Sequence, residues 1–461
     1  MYRLSRLVYC CLLLAACSKD TDKIDSLPQD KFIQAYFNHR ETQTQTYIDP
    51  YRKIERTGDN LEAIILKEIA TAQSSIDLAI YELNLPLVAQ ALAKKQLEGV
   101  KVRVVLDNDY SHSLTELSSA QISNLNQRDR QKYEQLFQLI DLDRDRQLSS
   151  TEIAQRDALT IIKQAGIEVI DDTADGSKGS GLMHHKFMVI DHKRVIAGSS
   201  NYTLSDIHGD FDHPDTTGNV NHLLRINNAQ VANLFSEEFN YMWGDSELGI
   251  EHKFSLAKPW RSPQSFSWEN TQITIQFSPT SRQQDWNLTT NGLIAQTIDS
   301  ATKSVDLALF VFSEQELADI LQHKHDQGVE IKGIFDPGFA YRYYSEMLDM
   351  LGVSLYSRCQ PEANNHPWLN QVDTVGIAQI AVGDKLHHKV AVIDDATVIS
   401  GSQNWSEAAN YQNDEAVIII SNPTVAQHFV QEFQRLYSSG LLGLSAKLNN
   451  KLEQQQQKCG S

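Results

Sequence analysis

Residues 63–108, AIILKEIATAQSSIDLAIYELNLPLVAQALAKKQLEGVKVRVVLDN, and residues 292–337, GLIAQTIDSATKSVDLALFVFSEQELADILQHKHDQGVEIKGIFDP, follow one pattern twice. Each copy predicts a helix, a short apolar strand (Ile76 to Tyr81; Val305 to Phe310), a second helix, a glycine (Gly99; Gly328) and another strand. Alternating strands and helices imply a mainly parallel sheet covered by helices on both faces. The chain is therefore expected to be α/β, built of two related halves.

Each copy continues into a second repeated stretch. Residues 182–203, LMHHKFMVIDHKRVIAGSSNYT, match residues 386–406, LHHKVAVIDDATVISGSQNWS. Aligned on the histidine, His184, Lys186, Asp191, Gly198, Ser199 and Asn201 correspond to His387, Lys389, Asp394, Gly401, Ser402 and Asn404. A single His-x-Lys carries no information. Two copies of His-x-Lys-x4-Asp-x6-Gly-Ser-x-Asn, 203 residues apart, carry a great deal. An apolar strand has no use for charge at its mouth unless chemistry requires it, because an unpaired buried charge costs several kcal/mol.

Strand periodicity sorts these groups. His184 and Lys186 share one face, as do His387 and Lys389, whereas His185, His388, Asp191 and Asp394 have the other parity. The two aspartates are read as scaffold groups that tie down turns, and His185 and His388 as packing or supporting residues. The His/Lys pairs suit phosphodiester chemistry. An anionic diester repels an incoming water, so an enzyme gains by neutralising the charge and by splitting the reaction into two displacements. Two lysines with the Ser and Asn groups of the Gly-Ser-x-Asn turns suit the nonbridging oxygens. One imidazole attacks phosphorus while the other protonates the leaving oxygen. No metal is needed for these steps.

The duplicated motif resembles the phospholipase D superfamily, with two HKD motifs in one chain, and the resemblance covers roughly residues 58–440. It implies two phospholipase D-like halves related by a pseudo-two-fold axis, one active site at their interface, metal-independent catalysis and a phosphohistidine intermediate. It also implies that His184 is the nucleophile and His387 the acid and later the base, a pair of roles open to exchange. The family's acidic residue after each motif is present as Glu415 in NDEAVIII, but NVNHLLRI places Asn221 at the matching position. Asp210, Asp212 and Asp215 are candidate substitutes. Superfamily substrates include phospholipids and nucleic acids. A phospholipid headgroup is the expected substrate, DNA or RNA the alternative, and a catalytically silent membrane-tethered binding protein the rival of another class. Trp368, Trp405, Tyr341, Tyr343 and Tyr344 are candidates for lining a choline-like or acyl site.

Composition and the termini bound this reading. The chain has 461 residues, a formal charge of −18, and 41% hydrophobic residues. That balance argues against a broad basic face for nucleic acid and leaves room for a small basic pocket. At the N-terminus, Arg3 and Arg6 precede a short apolar run and Leu14-Ala15-Ala16-Cys17, similar to a bacterial lipoprotein signal peptide. The expectation is export and mooring to the cell envelope, at the outer membrane, through lipidated Cys17, as a monomer. Cys359 and Cys459 would remain as two thiols rather than a disulfide framework. The expected organisation is a signal over 1–16, a tether and arm over 17–57, a first half over 58–245, a linker over 246–270, a second half over 271–440 and a disordered tail over 441–461.

The first copy contains an insertion, expected over about 112–156. Sixty positions separate Asp107 from Ile167, against 17 from Asp336 to Val353, so about 43 residues are extra. They include DLDRDRQLSSTE, in which Asp141, Asp143, Asp145, Gln147, Ser149 and Glu152 occupy positions 1, 3, 5, 7, 9 and 12 of an EF-hand-like loop. Arg146 stands where glycine is usual. Weak Ca²⁺ binding with a structural or regulatory role is expected; catalysis itself is expected to need no cofactor.

Overall fold

The computed structural model describes residues 27–41, 46–245 and 248–460. Cys17 and the expected signal segment lie outside them. Among the described residues no helix is long and apolar enough to cross a membrane.

The first half is built on seven strands: β1 (Ile33–Phe37), β2 (Ser75–Ile80), β3 (Lys101–Leu106), β4 (Glu168–Asp171), β5 (Lys186–Ile190), β6 (Arg194–Gly198) and β7 (His222–Ile226). They lie in the order β1-β7-β6-β5-β2-β3-β4. The second half repeats this with β8 (Gln264–Trp268), β9 (Thr271–Phe277), β10 (Ser304–Leu309), β11 (Glu330–Phe335), β12 (Val375–Ile377), β13 (Lys389–Ile393), β14 (Thr397–Gly401), β15 (Ala416–Ser421) and β16 (Leu441–Leu442). Its order is β8-β9-β15-β14-β13-β10-β11-β12-β16. The α/β class and the two halves are as expected, but the sheets are mixed rather than mainly parallel. Within these two sheets β2-β3-β4 and β10-β11-β12 run parallel, and the motif strands pair antiparallel. The physical reason is connection length: the tight turns after Ile190 and Ile393 permit only antiparallel return, whereas β2 to β3 has room for a crossover helix.

The helices follow from local signals. In the first half, α1 (Leu61–Ala70) is capped by Asn60, and α2 (Pro86–Leu97) opens on proline, whose missing N–H costs nothing there. The insertion contributes α3 (Gln127–Ile140) and α4 (Ser150–Arg156), and α5 (Ala229–Trp243) follows β7. The second half has α6 (Thr290–Asp299), α7 (Gln315–Asp326) and α8 (Pro423–Ser439), followed by α9 (Ala446–Cys459). Gly99 and Gly328 end equivalent helices at φ +89° and +90°, a conformation that explains why both copies carry glycine here.

Three large cores result. One lies beneath the outer helices of each half, and a third joins the halves: Phe187, Val189, Leu224, Phe235 and Phe239 pack in one cluster with Val390, Val392, Ile418, Ile420 and Phe429. Helices α5 and α8 supply residues to this shared core.

Three boundary expectations change. The stretch 246–270 contains β8, an edge strand of the second sheet, and the arm contributes β1 to the first. The C-terminal residues are helical rather than disordered: Leu448 of α9 is fully buried, and Cys459 is joined to Cys359 in a disulfide. A polar, glutamine-rich tract hides a helix held by the packing of Leu448 and Leu452 against the core and by a covalent tie, neither of which its composition advertises.

Candidate active site

The two His/Lys strands meet where the halves meet. His184 N donates to Asp414 O (3.0 Å) and Asp414 N to Leu182 O (2.9 Å). In the other half His387 N donates to Val220 O (3.0 Å) and Val220 N to Lys385 O (2.7 Å). Each motif strand is thus entered through a backbone bridge to the opposite half. Buried carboxylates at the ends of β3 and β11 fix the preceding residue: Met183 N donates to Asp107 Oδ2 and Leu386 N to Asp336 Oδ2, each at 2.9 Å.

The imidazoles are oriented across the interface. His184 Nδ1 lies 2.8 Å from Glu415 Oε2, and His387 Nδ1 lies 3.0 Å from Asn221 Oδ1. The residue after each motif therefore serves the other half's histidine, a pairing that one half's sequence cannot reveal. None of Asp210, Asp212 and Asp215 substitutes for the absent carboxylate. Asp210 faces His213, Asp212 accepts from Gln135 and Gln138, and Asp215 is exposed. The carboxylate near His387 is Asp206, with Oδ1 at 3.7 Å, and it also receives Asn221 Nδ2 (3.3 Å) and Asn219 Nδ2 (2.5 Å). Its place in the short helix Leu204–Ile207, outside the motif, hid it from sequence reasoning.

With Nδ1 of each ring engaged, Nε2 is left for chemistry. Lys186 Nζ and Lys389 Nζ donate to the carbonyl oxygens of His184 (2.9 Å) and His387 (2.8 Å), so each lysine is pinned beside its own histidine. Burial, with the two lysine charges, holds both imidazoles well below their ordinary pKa. Burial also lowers Lys186 to about 8 and pushes Glu415 up to about 7, the latter against the pull of Lys186. The site therefore carries crowded, desolvated positive charge of the kind an anionic phosphate would relieve.

The remaining motif groups divide in two. Asn201 Oδ1 and Asn404 Oδ1 are buried without a partner, an orphaned pair at matching positions that makes both carboxamides available to a ligand. Ser199 and Ser402 serve the scaffold: Ser199 Oγ donates to Asn221 Oδ1 (2.8 Å), and Ser402 Oγ receives Ala416 N (3.0 Å) and bonds the Glu415 carboxyl. Gly198 and Gly401 are required by close approach, since a Cβ would lie 2.3 Å from His222 O in one copy and 2.1 Å from Ala416 O in the other. Asp191 accepts from Gln73 N, Ser74 N, Ser74 Oγ and Ser75 N, and Asp394 from Thr302 N, Thr302 Oγ1, Lys303 N and Ser304 N. Both tie the turn before β2 or β10 to a motif strand, away from the histidines. His185 and His388 are buried against Glu238 (2.8 Å) and Glu432 (3.0 Å) from α5 and α8.

Aromatic walls complete the site. The Tyr81 ring packs edge-on to His184 at 4.9 Å and the Phe310 ring to His387 at 4.8 Å. Their equivalent places after β2 and β10 were a legible signal. Trp368 and Trp405 are core residues of the second half, not liners of an acyl site. The insertion reaches the wall: Lys132 Nζ of α3 bonds Glu82 Oε2 (3.0 Å) and the Tyr110 hydroxyl (2.7 Å), and the Tyr110 ring lies 4.8 Å from that of Tyr81.

In the loop between α3 and α4, ligand oxygens of Asp141, Asp143 and Asp145 lie within 4.8 Å of one another, and Asp141 Oδ1 is buried without a partner. Arg146 takes φ +66°, the left-handed conformation for which glycine is usual, at a cost on the order of 1–3 kcal/mol. Glu152 is turned to the backbone, accepting from Leu142 N (2.8 Å) and Ser149 N (2.9 Å), while Gln147 N donates to Asp145 Oδ1 (2.7 Å) and Ser149 Oγ to Glu152 Oε2 (2.7 Å). The three aspartates fit a hard cation; the remaining positions do not yet converge.

Asn221 follows from its neighbours. Its Nδ2 feeds Asp206, so Asn221→Asp would press two buried carboxylates together and raise the pKa of one. A raised folded-state pKa destabilises above the unfolded value, and the penalty fades as pH falls. Asn221→Asp is expected to lose about 1–3 kcal/mol of stability near neutral pH, with the melting-temperature deficit shrinking toward about pH 5. A deficit that is absent, or that grows in acid, contradicts this contact.

The family model described as "Cardiolipin synthase, PLD-like domain" matches residues 65–243 and 294–437. A mitochondrial cardiolipin hydrolase of Chlamydomonas reinhardtii is 26% identical over 142 residues, covering 30% of this chain and 54% of the relative. A phospholipase D of Rickettsia prowazekii is 30% identical over 141 residues, covering 31% and 46%. The chain thus spans about half the length of the curated relatives it matches. The crystal structure of phosphatidylserine synthase from Haemophilus influenzae superposes with a TM-score of 0.52 at 13% identity, over 93% of this chain and 88% of that one, a likeness of fold. The paired motifs, the two-half fold and the match to both halves agree: the chain belongs to the phospholipase D-like family described by the cardiolipin synthase, PLD-like domain.

Proposed function

We propose that the protein is a phosphodiesterase that hydrolyses a phospholipid headgroup bond through a phosphohistidine on His184. The observation that carries this reading is the unequal orientation of two buried imidazoles in one site, His184 by a carboxylate and His387 by a carboxamide. Glu415 accepts Nδ1–H and stabilises positive charge on the His184 ring, which leaves Nε2 as the stronger nucleophile. Asn221 is neutral and stabilises an imidazolium less, so His387 surrenders a proton more readily.

In the first displacement His184 Nε2 bonds to phosphorus, the P–O bond to the leaving group breaks, and His387, protonated to the imidazolium once the diester anion offsets the lysine charge that depresses its pKa, gives that oxygen its Nε2 proton. In the second, His387 takes a proton from water, whose oxygen bonds to phosphorus as the P–N bond breaks. Lys186 and Lys389 neutralise the diester, and the Asn201 and Asn404 carboxamides donate Nδ2–H to its nonbridging oxygens. Lipid as substrate is supported by what the relatives are named for, and by a net charge of −18, which argues against reliance on a broad basic face.

His184→Asn and His387→Asn are each expected to abolish turnover of phospholipid and of bis-p-nitrophenyl phosphate. Acid quench of wild type should leave phosphate on His184. Glu415→Gln should lower kcat on the order of 10²–10⁴-fold. The Glu415 carboxylate exists above about pH 7, so the wild-type rate should fall below that pH and the Gln variant should lose this acid limb. Near wild-type rates in either histidine variant refute the scheme, and turnover confined to DNA or RNA refutes the lipid substrate.

The Asp141, Asp143 and Asp145 loop is proposed to bind Ca²⁺ in the roughly 10⁻⁴ to 10⁻³ M range, with Glu152 swinging in as a ligand and no part in the chemical steps. Calorimetry should detect binding to wild type and not to Glu152→Gln. No heat and no melting shift at millimolar Ca²⁺ would make the insertion plain scaffold.

Export and mooring to the outer membrane through acylated Cys17 is proposed from the N-terminal motif. Metabolic fatty-acid labelling should mark wild type and miss Cys17→Ser, and unlabelled wild type ends this reading.

A further inference from the structure

A cleft of about 640 Å³ lies between α9 and the turn that follows β11. Tyr341, Tyr343 and Tyr356 form its aromatic wall, and Arg342, Lys447, Lys451 and Lys458 supply its charge; no carboxylate among the described residues lines it. Arg342 Nε donates to Gly338 O (3.0 Å) and Lys451 Nζ to Tyr341 O (3.2 Å), so each is aimed by the turn rather than by an acid. Lys447 and Lys451 both hold Nζ 5.9 Å from the Tyr341 ring. Burial, with Lys447 and Arg342 nearby, lowers the Lys451 pKa. Four uncompensated cations in one concavity are out of keeping with a chain of charge −18 unless an anion belongs there.

The cleft is rigidly built. Leu448 anchors α9 in the core, the disulfide to Cys359 holds its far end, and Gln455 bonds both N (2.7 Å) and O (2.9 Å) of Tyr356. Immediately before α9, Leu441, Leu442 and Leu444 are 45%, 39% and 47% exposed, and Ser445 bonds the Tyr341 hydroxyl at 2.8 Å. Three exposed leucines thus immediately precede the helix that carries the cleft's lysines, a composition suited to the headgroup boundary of a bilayer. Nucleic acid would gain from the cations and tyrosines but not from three exposed leucines.

We propose that this cleft docks the protein on anionic phospholipid bilayers: the cations bind headgroup phosphates while the leucines enter the interface. The same turn carries Phe339, whose ring lies 4.6 Å from Phe310 beside His387, so docking would bring the catalytic mouth to the membrane. The surface is separate from the histidine pair and does not rest on the reaction proposed for it.

The test is vesicle co-sedimentation of the full chain carrying Cys17→Ser, which removes any acyl anchor, on phosphatidylcholine with and without phosphatidylglycerol. Binding is expected to require phosphatidylglycerol, to weaken with salt, and to fall roughly fivefold for each lysine lost in Lys447→Gln and Lys451→Gln. Leu442→Ser with Leu444→Ser should weaken it further. These positions are at the surface or half-buried, and unchanged melting curves establish that the variants are folded. Equal vesicle binding by the Cys17→Ser parent and by the same chain with both lysines changed overturns the proposal. So does retained vesicle binding with loss of binding to an oligothymidylate, which would give the cleft to nucleic acid.

Discussion

The structure turns on an exchange between halves: the residue after each motif orients the histidine of the other motif. Glu415 of the second half holds His184, and Asn221 of the first holds His387, each beside a backbone bridge that joins the motif strand to the opposite half. Neither half alone positions its own imidazole, so the shared core that joins the sheets is a condition of the site and not merely of stability. The apolar surface buried there secures the geometry on which a two-step displacement would rely.

Because the exchange is reciprocal, a change in one half alters the other half's chemistry. Asparagine at 221 leaves the two imidazoles in unlike fields, with a carboxylate on one and a carboxamide on the other. Pseudo-symmetry in the backbone thereby coexists with asymmetry in acid–base character, which is what a reaction with distinct nucleophile and acid requires. The buried lysines sit on the carbonyl oxygens of their own histidines, with Glu415 and Asp206 as nearby counter-charges.

The C-terminal segment and the insertion are later layers on this frame. Helix α9 and its disulfide wall a basic cleft on the second half, while α3 of the insertion reaches Tyr110 and, through it, the Tyr81 wall of His184. Both additions touch turns that carry aromatic residues of the site.

Much of this was legible in the residues themselves. The doubled helix-strand pattern disclosed two α/β halves, and the doubled motif singled out His184, Lys186, His387 and Lys389 as candidates, because strand periodicity puts a histidine and a lysine two residues apart on one face. The same parity separated Asp191 and Asp394, which do cap turns. Strand direction was misread, since an apolar run of five residues looks alike in parallel and antiparallel pairing and only the connection decides. Tertiary structure alone decided which orienting group serves which histidine, that Asp206 rather than Asp210, Asp212 or Asp215 lies near His387, and that Cys459 returns to Cys359. These are contacts between residues 100 or more apart in the chain, or between halves. Local sequence carries propensity and periodicity, but a cross-chain contact depends on where two sheets come to rest, and that is settled by the burial of the core between them.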